Sequence, residues 1–96
     1  PGEIKGPHIH KNRTSYFYCI TGKIVIIIRD NDQYHEVELS SKDSKLVSVS
    51  NDIAAAIVNN SHEISQVLVL ADVAWKPNDD EMVNTVFDNY DFKKWF

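Results

Sequence analysis

Residues 24–28 read Ile-Val-Ile-Ile-Ile, five apolar residues in a row between Gly22–Lys23 and the turn-forming Asp30-Asn31-Asp32-Gln33. β-branched side chains crowd a helix and suit a pleated strand. Strand side chains alternate between two faces, so an unbroken apolar run leaves neither face for water. Lys23–Arg29 is therefore expected to be a strand buried on both faces, or with one face covered by a partner subunit. Any fold for this chain has to supply both covers.

The remaining sequence supplies more strands. Ser15–Ile20 is aromatic and β-branched, and Tyr34–Leu39 alternates. Leu46–Val49, Ile53–Val58 (with three alanines) and Ile64–Ala71 follow, and Ile9 sits in a strand with His8 and His10. Turn-rich stretches at 11–15, 30–33, 40–44, 50–52 and 59–63 separate them, recurring roughly every 8 to 12 residues. Gly22 reads as a hairpin glycine. Residues 72–81 read as a loop stiffened by Pro77. The aromatic, charged tail at 87–96 reads as a helical turn or two, or an irregular segment, laid over a sheet edge. The pattern predicts one all-β sandwich or barrel.

Composition narrows the function. Net charge is −4, which argues against general nucleic-acid binding. Residues 1–29 carry five cations, Lys5, Lys11, Arg13, Lys23 and Arg29, against Glu3 alone, a net +4. Residues 30–96 carry five cations against thirteen carboxylates, a net −8. Basic groups gathered near the histidines suit a phosphate-bearing small molecule. No apolar run approaches the roughly 20 residues of a membrane span, and no secretory signal pattern is present. Cys19 is the single cysteine and reads as an inert core thiol, which points to a reducing, cytoplasmic setting. The apolar strand and the tail aromatics Phe87, Tyr90, Phe92, Trp95 and Phe96 exceed what a 96-residue monomer readily covers, so a homodimer is expected.

His8 and His10 are the candidate chemical centre. Period 2 sends both imidazoles to one face, about 7 Å apart at Cα. An imidazole titrates near neutral pH and suits both removal and return of a proton. Lys11, Tyr16 and Tyr18 are candidate donors to a developing oxyanion, and Lys5 and Arg13 candidate diphosphate ligands. His35 and His62 read as surface residues, Trp75 and Trp95 as packing or interface residues and Asp79–Glu81 as a solvated carboxylate run.

The spacing around the histidines resembles the first motif of the cupins, small jelly-roll barrels. That motif has His-x-His, a Glu and a Gly; here His8, His10 and Gly22 match and Ser15 stands in the Glu position. In the second motif, aligned on Asn59, Ala55 stands in the His position. Only two of four usual metal ligands remain, so neither a metal nor another cofactor is expected. The stretch EIKGPHIHK at 3–11 is similar to an element of the dTDP-4-keto-6-deoxyglucose 3,4-ketoisomerases, and also to one in dTDP-4-dehydrorhamnose 3,5-epimerases. Lys5 stands where those families have Arg. Residues 70–81, LADVAWKPNDDE, resemble the segment after their last barrel strand. The epimerase lysine and tyrosine positions fall on Ser15 and near Leu68, so the ketoisomerases fit better and His10 becomes the favoured base, with His8 beside it.

The resemblance implies a single cupin-like domain over 1–96, lacking the usual N-terminal strands. It implies an isomerase or epimerase of a nucleotide-linked 4-keto-6-deoxysugar in surface polysaccharide biosynthesis, working through an enediolate by histidine acid–base chemistry. Lys5, Lys11, Arg13, Tyr16 and Tyr18 would bind the nucleotide-sugar. The competing readings are a non-catalytic sugar or nucleotide-sugar binding cupin and a metal-dependent cupin, which the incomplete ligand set disfavours.

Overall fold

The structure, a computed structural model, describes residues 2–43, 45–72 and 82–96. Among the described residues eight strands follow in chain order: β1 Ile4–His10, β2 Ser15–Thr21, β3 Lys23–Asp30, β4 Gln33–Ser40, β5 Val47–Val49, β6 Ala54–Val58, β7 Gln66–Ala71 and β8 Met82–Asn84. A 3-10 turn, Phe92–Trp95, follows them. The strands form a five-stranded sheet in the order β4-β3-β6-β1-β8 and a three-stranded sheet in the order β5-β2-β7. The all-β expectation holds. The sequence reading missed β8, and Pro77, Trp75 and Asp79–Glu81 lie outside the described residues.

Strand β3 is buried from Ile24 to Ile27 because both faces are covered within the chain. Its inward side chains, Ile24 and Ile26, join Phe17, Cys19, Leu39 and Val49 between the two sheets. Its outward side chains, Val25 and Ile27, join Ala54, Ala56, Val58 and Phe87 beneath the C-terminal segment. The apolar strand and the aromatic tail thus cover one another. Most of the apolar surface from which a homodimer was expected is covered within the chain, while Phe96 stays 60% exposed. The large apolar side chains left exposed include Leu68 and Leu70 on β7, opposite Tyr18 and Tyr16.

The tail is fastened by specific contacts. Arg29 Nη1 donates to the Val86 carbonyl at 2.9 Å, and its guanidinium lies 5.4 Å from the Phe87 ring centroid. Tyr34, Phe87, Tyr90 and Phe92 form edge-to-face, tilted and stacked pairs with centroids 4.9–6.0 Å apart. Tyr90 Oη donates to Glu36 Oε2 at 2.6 Å, Lys94 Nζ stands 2.7 Å from the same oxygen, and Trp95 Nε1 donates to Tyr90 Oη at 2.8 Å. Arg29 therefore belongs to the tail anchor. Lys23 sits at the opposite end of β3, beside Ser65. The five N-terminal cations do not gather at one place.

Two turns follow their residues. Asn31 and Asp32 have φ of 51° and 62°, the left-handed pair that a tight β3–β4 hairpin needs. Gly22 also has a positive φ, 75°, but β2 and β3 lie in different sheets. It turns the chain from one layer to the other, which corrects the hairpin reading. A Cβ there would strike the Ser65 hydroxyl and lie 3.0 Å from Ser65 Cα. Cys19 is 1% exposed, and burial pushes its thiol pKa up, as an inert core thiol requires.

Two outcomes are expected for the tail. Phe87→Ala removes a ring that is 5% exposed and should cost about 3–5 kcal/mol in chemical denaturation. Hydrogen bonds from Lys94 and then Tyr90 hold the Glu36 carboxyl below its ordinary value of 4.5. A lowered folded pKa means that this contribution is complete above the unfolded value and is lost as pH falls through the folded one. Thermal melts from about pH 6 down to pH 3 should therefore show a shallower acid decline for Glu36→Gln than for wild type.

Candidate active site

Strand β1 carries the histidines in the interior of the larger sheet, paired with β6 on one side and β8 on the other. His8 faces Ala55 on β6 and Asn84 on β8. Outward-facing Ile9 packs into the core under the tail, so its neighbours His8 and His10 turn inward, toward the three-stranded sheet. The turn at 51–52 fixes the end of the strand, with the Asp52 N–H donating to the His10 carbonyl at 2.7 Å.

Lys5 reaches the same face through an irregularity. Lys5 pairs with Ile57 and His8 with Ala55, so three steps on β1 match two on β6. A bulge of this kind shifts the alternation by one residue. Without it, Lys5 and His8, three apart, would point to opposite faces. Gly6 makes it possible: its φ is 90°, and a Cβ there would lie 2.8 Å from the Ala55 carbonyl oxygen. The Gly6–Pro7 sequence was the visible signal.

The result is a cavity of about 150 Å³ between the sheets. Its polar lining is Lys5, His8, His10 and Ser15, and its walls are apolar, among them Phe17, Val49, Ala55 and Val69. The histidines are half-buried. A larger cleft of about 480 Å³ continues along the interior and shares Lys5, Ile57 and Val69 with the cavity. Glu3, Asn59 and Ser65 supply its polar lining with Lys5.

The structure brings together only part of the expected site. Tyr16 and Tyr18 alternate with the buried Ser15, Phe17 and Cys19. They therefore occupy the outer face of β2, away from the cavity. Lys11 is exposed on the β1–β2 loop and Arg13 is buried there, and neither lines the cavity. The same loop is tied to the end of β7 by Thr14 N–H to Asp72 Oδ1 at 2.8 Å. His35 and His62 are exposed, as a surface reading requires. Ser15, 2% exposed, is the polar cavity residue that the sequence reading treated only as a departure from a motif.

The four cupin ligand positions, His8, His10, Ser15 and Ala55, all line this one cavity. A methyl group and a neutral hydroxyl replace the second-motif imidazole and the carboxylate. Among the described residues no three His, Cys, Asp or Glu side chains gather at one point. The residues present do not fit a tight transition-metal site, which needs three or four such ligands.

Comparisons with known proteins agree on the architecture. The family model described as FdtA, WxcM-like, C-terminal matches residues 1–91. The capsular polysaccharide assembling protein CapF from Staphylococcus aureus superposes with a TM-score of 0.82 at 22% identity, over 88% of this chain and 25% of its own. QdtA, a sugar 3,4-ketoisomerase from Thermoanaerobacterium thermosaccharolyticum solved with TDP, gives 0.71 at 16% identity, over 98% of this chain and 61% of its own. ChmJ, a 3'-monoepimerase from Streptomyces bikiniensis solved with dTDP-quinovose, gives 0.74 at 13% identity, over 86% and 46%. This chain thus spans less than two thirds of each of these proteins. A search of curated proteins finds no match. The shared fold is the cupin-type antiparallel double sheet expected from the sequence.

If the cavity keeps the frame of a metal site, restoring its ligands should restore binding. Ser15→Glu with Ala55→His should bind Co²⁺ with visible d–d absorption at an affinity at least about tenfold above wild type, since ligand number sets retention. Equal Co²⁺ titrations would show that the four positions do not converge.

Proposed function

This chain belongs to the FdtA family of WxcM-like C-terminal domains, and from that membership we propose that it acts as an isomerase or epimerase on a dTDP-linked 4-keto-6-deoxysugar. The observation that carries the reading is the convergence of His8, His10 and Lys5 in one small, mostly apolar cavity. Apolar walls exclude water and strengthen each polar contact within. The likeness to CapF, ChmJ and QdtA, with the ligands named for the last two, supports the substrate class. A place in surface polysaccharide synthesis and a cytoplasmic setting complete the proposal.

The reaction moves protons. A base takes the proton from the carbon beside the ketone, and the electron pair passes to the carbonyl oxygen as an enediolate. A proton returned to a neighbouring carbon or to the opposite face gives the product. His10 is the base, and His8 orients the sugar or carries the returning proton. The Lys5 ammonium lies where the cavity meets the larger cleft, placed to stabilise negative charge on the enediolate or the diphosphate.

Incubation with dTDP-4-keto-6-deoxyglucose in D₂O, followed by NMR, tests this directly. Wild-type protein should incorporate solvent deuterium beside the carbonyl and yield new sugar signals, unaffected by EDTA. His10→Asn should lower turnover about 10²–10⁴-fold, and His8→Asn by a similar or smaller factor. Saturable binding with no exchange would leave the non-catalytic binding module, and EDTA-sensitive turnover restored by metal would support metal chemistry.

A further inference from the structure

Ser15 stands on the wall opposite the histidines. His8 and His10 belong to β1 of the five-stranded sheet, whereas Ser15 begins β2 in the three-stranded sheet. All three line the same cavity. Ser15 is 2% exposed, and its strand neighbours on the same face are the core residues Phe17 and Cys19. A hydroxyl buried in such a wall costs free energy unless something bonds to it. The hydroxyl lines the cavity, where a molecule held between the sheets can reach it.

We infer that the Ser15 hydroxyl is a substrate contact that completes its hydrogen bonding with an oxygen of the bound sugar, from the ring face opposite the histidines. The inference rests on the proposed function. A ring held between two sheets meets its base on one face and needs a fixed contact on the other. Phe17 and Val69 offer shape alone, so among the described residues Ser15 is the polar group on that wall that can set the ring's orientation. Replacing the motif's carboxylate with a hydroxyl also gives a neutral group that both donates and accepts. It fits a ketone or a sugar hydroxyl equally well, and it adds no negative charge beside a developing enediolate. Ser15 therefore acts as a specificity residue for the sugar and has no part in holding the nucleotide.

The test compares wild type with Ser15→Ala in calorimetric titrations against dTDP-4-keto-6-deoxyglucose and against dTDP alone, beside thermal melts. The expected result is an affinity loss of about tenfold for the keto-sugar nucleotide, an unchanged affinity for dTDP, and a melting temperature equal to or above wild type. Equal keto-sugar affinity in the two proteins overturns the inference while leaving the proposed function intact. A matched loss for both ligands with a lower melting temperature also overturns it, because Ser15 would then be a packing residue. A wild-type protein that binds neither compound overturns the proposed function and Ser15 with it.

Discussion

Burial of β3 on both faces is the constraint on which the fold depends. Its inner face is met by the smaller sheet, while its outer face has to be met by residues some 60 positions later in the chain. The contacts trace how this happens. After β8 pairs with β1, Thr85 N–H donates to the Pro7 carbonyl on β1. Val86 then accepts from Arg29 on β3, and the Asp88 carbonyl accepts from Tyr34 Oη on β4 at 2.5 Å. Tyr90 and Lys94 close on Glu36, also on β4. The tail thus crosses the sheet from β1 to β4, and it has to pass over β6 on the way. Ala54 and Ala56, two of the three outward residues of β6, leave room for that passage.

The third alanine of β6 does the opposite job. Ala55 points inward, opposite His8, and its short side chain keeps the space beside the histidines open. One strand therefore admits the tail on one face and the cavity on the other. Packing the interior to ordinary density at this position would need a larger residue. The cavity is a local departure from close packing, bounded by the buried Ser15, Phe17 and Val49 and by the exposed Lys5 and Val69.

Much of this was legible from residue order. Alternation located the strands, because one period separates buried from exposed positions. The histidine pair shared a face for the same reason. The losses came where long-range pairing decides. A glycine with positive φ looks the same in a hairpin and in a sheet-to-sheet corner, so Gly22 was misplaced. Tyr16 and Tyr18 looked like ligand contacts by proximity in sequence, yet the period that buries Phe17 turns them outward. Lys5 would have been assigned to the wrong face without the bulge at Gly6. Arg29 was counted with a phosphate-binding cluster because its partner, the tail, is some 57 residues away. The β8 segment has three residues and a weak pattern, and only its pairing with β1 defines it.

That short strand has a physical consequence for the site. With β8 on one side and β6 on the other, β1 is an interior strand, its backbone bonded along both edges. The three residues of β5 do the same for β2, whose other neighbour is β7. The two strands that present His8, His10 and Ser15 to the cavity are therefore each held from both sides. Edge strands bend and bulge more readily, and a reaction that depends on placing a proton acceptor within hydrogen-bond reach loses rate steeply with small displacements. The histidine wall is further fixed at its end, where Asp52 bonds the His10 carbonyl. His8, His10 and Ser15 are thus presented to the cavity by strands interior to their sheets, so their placement is set by the sheet ladders.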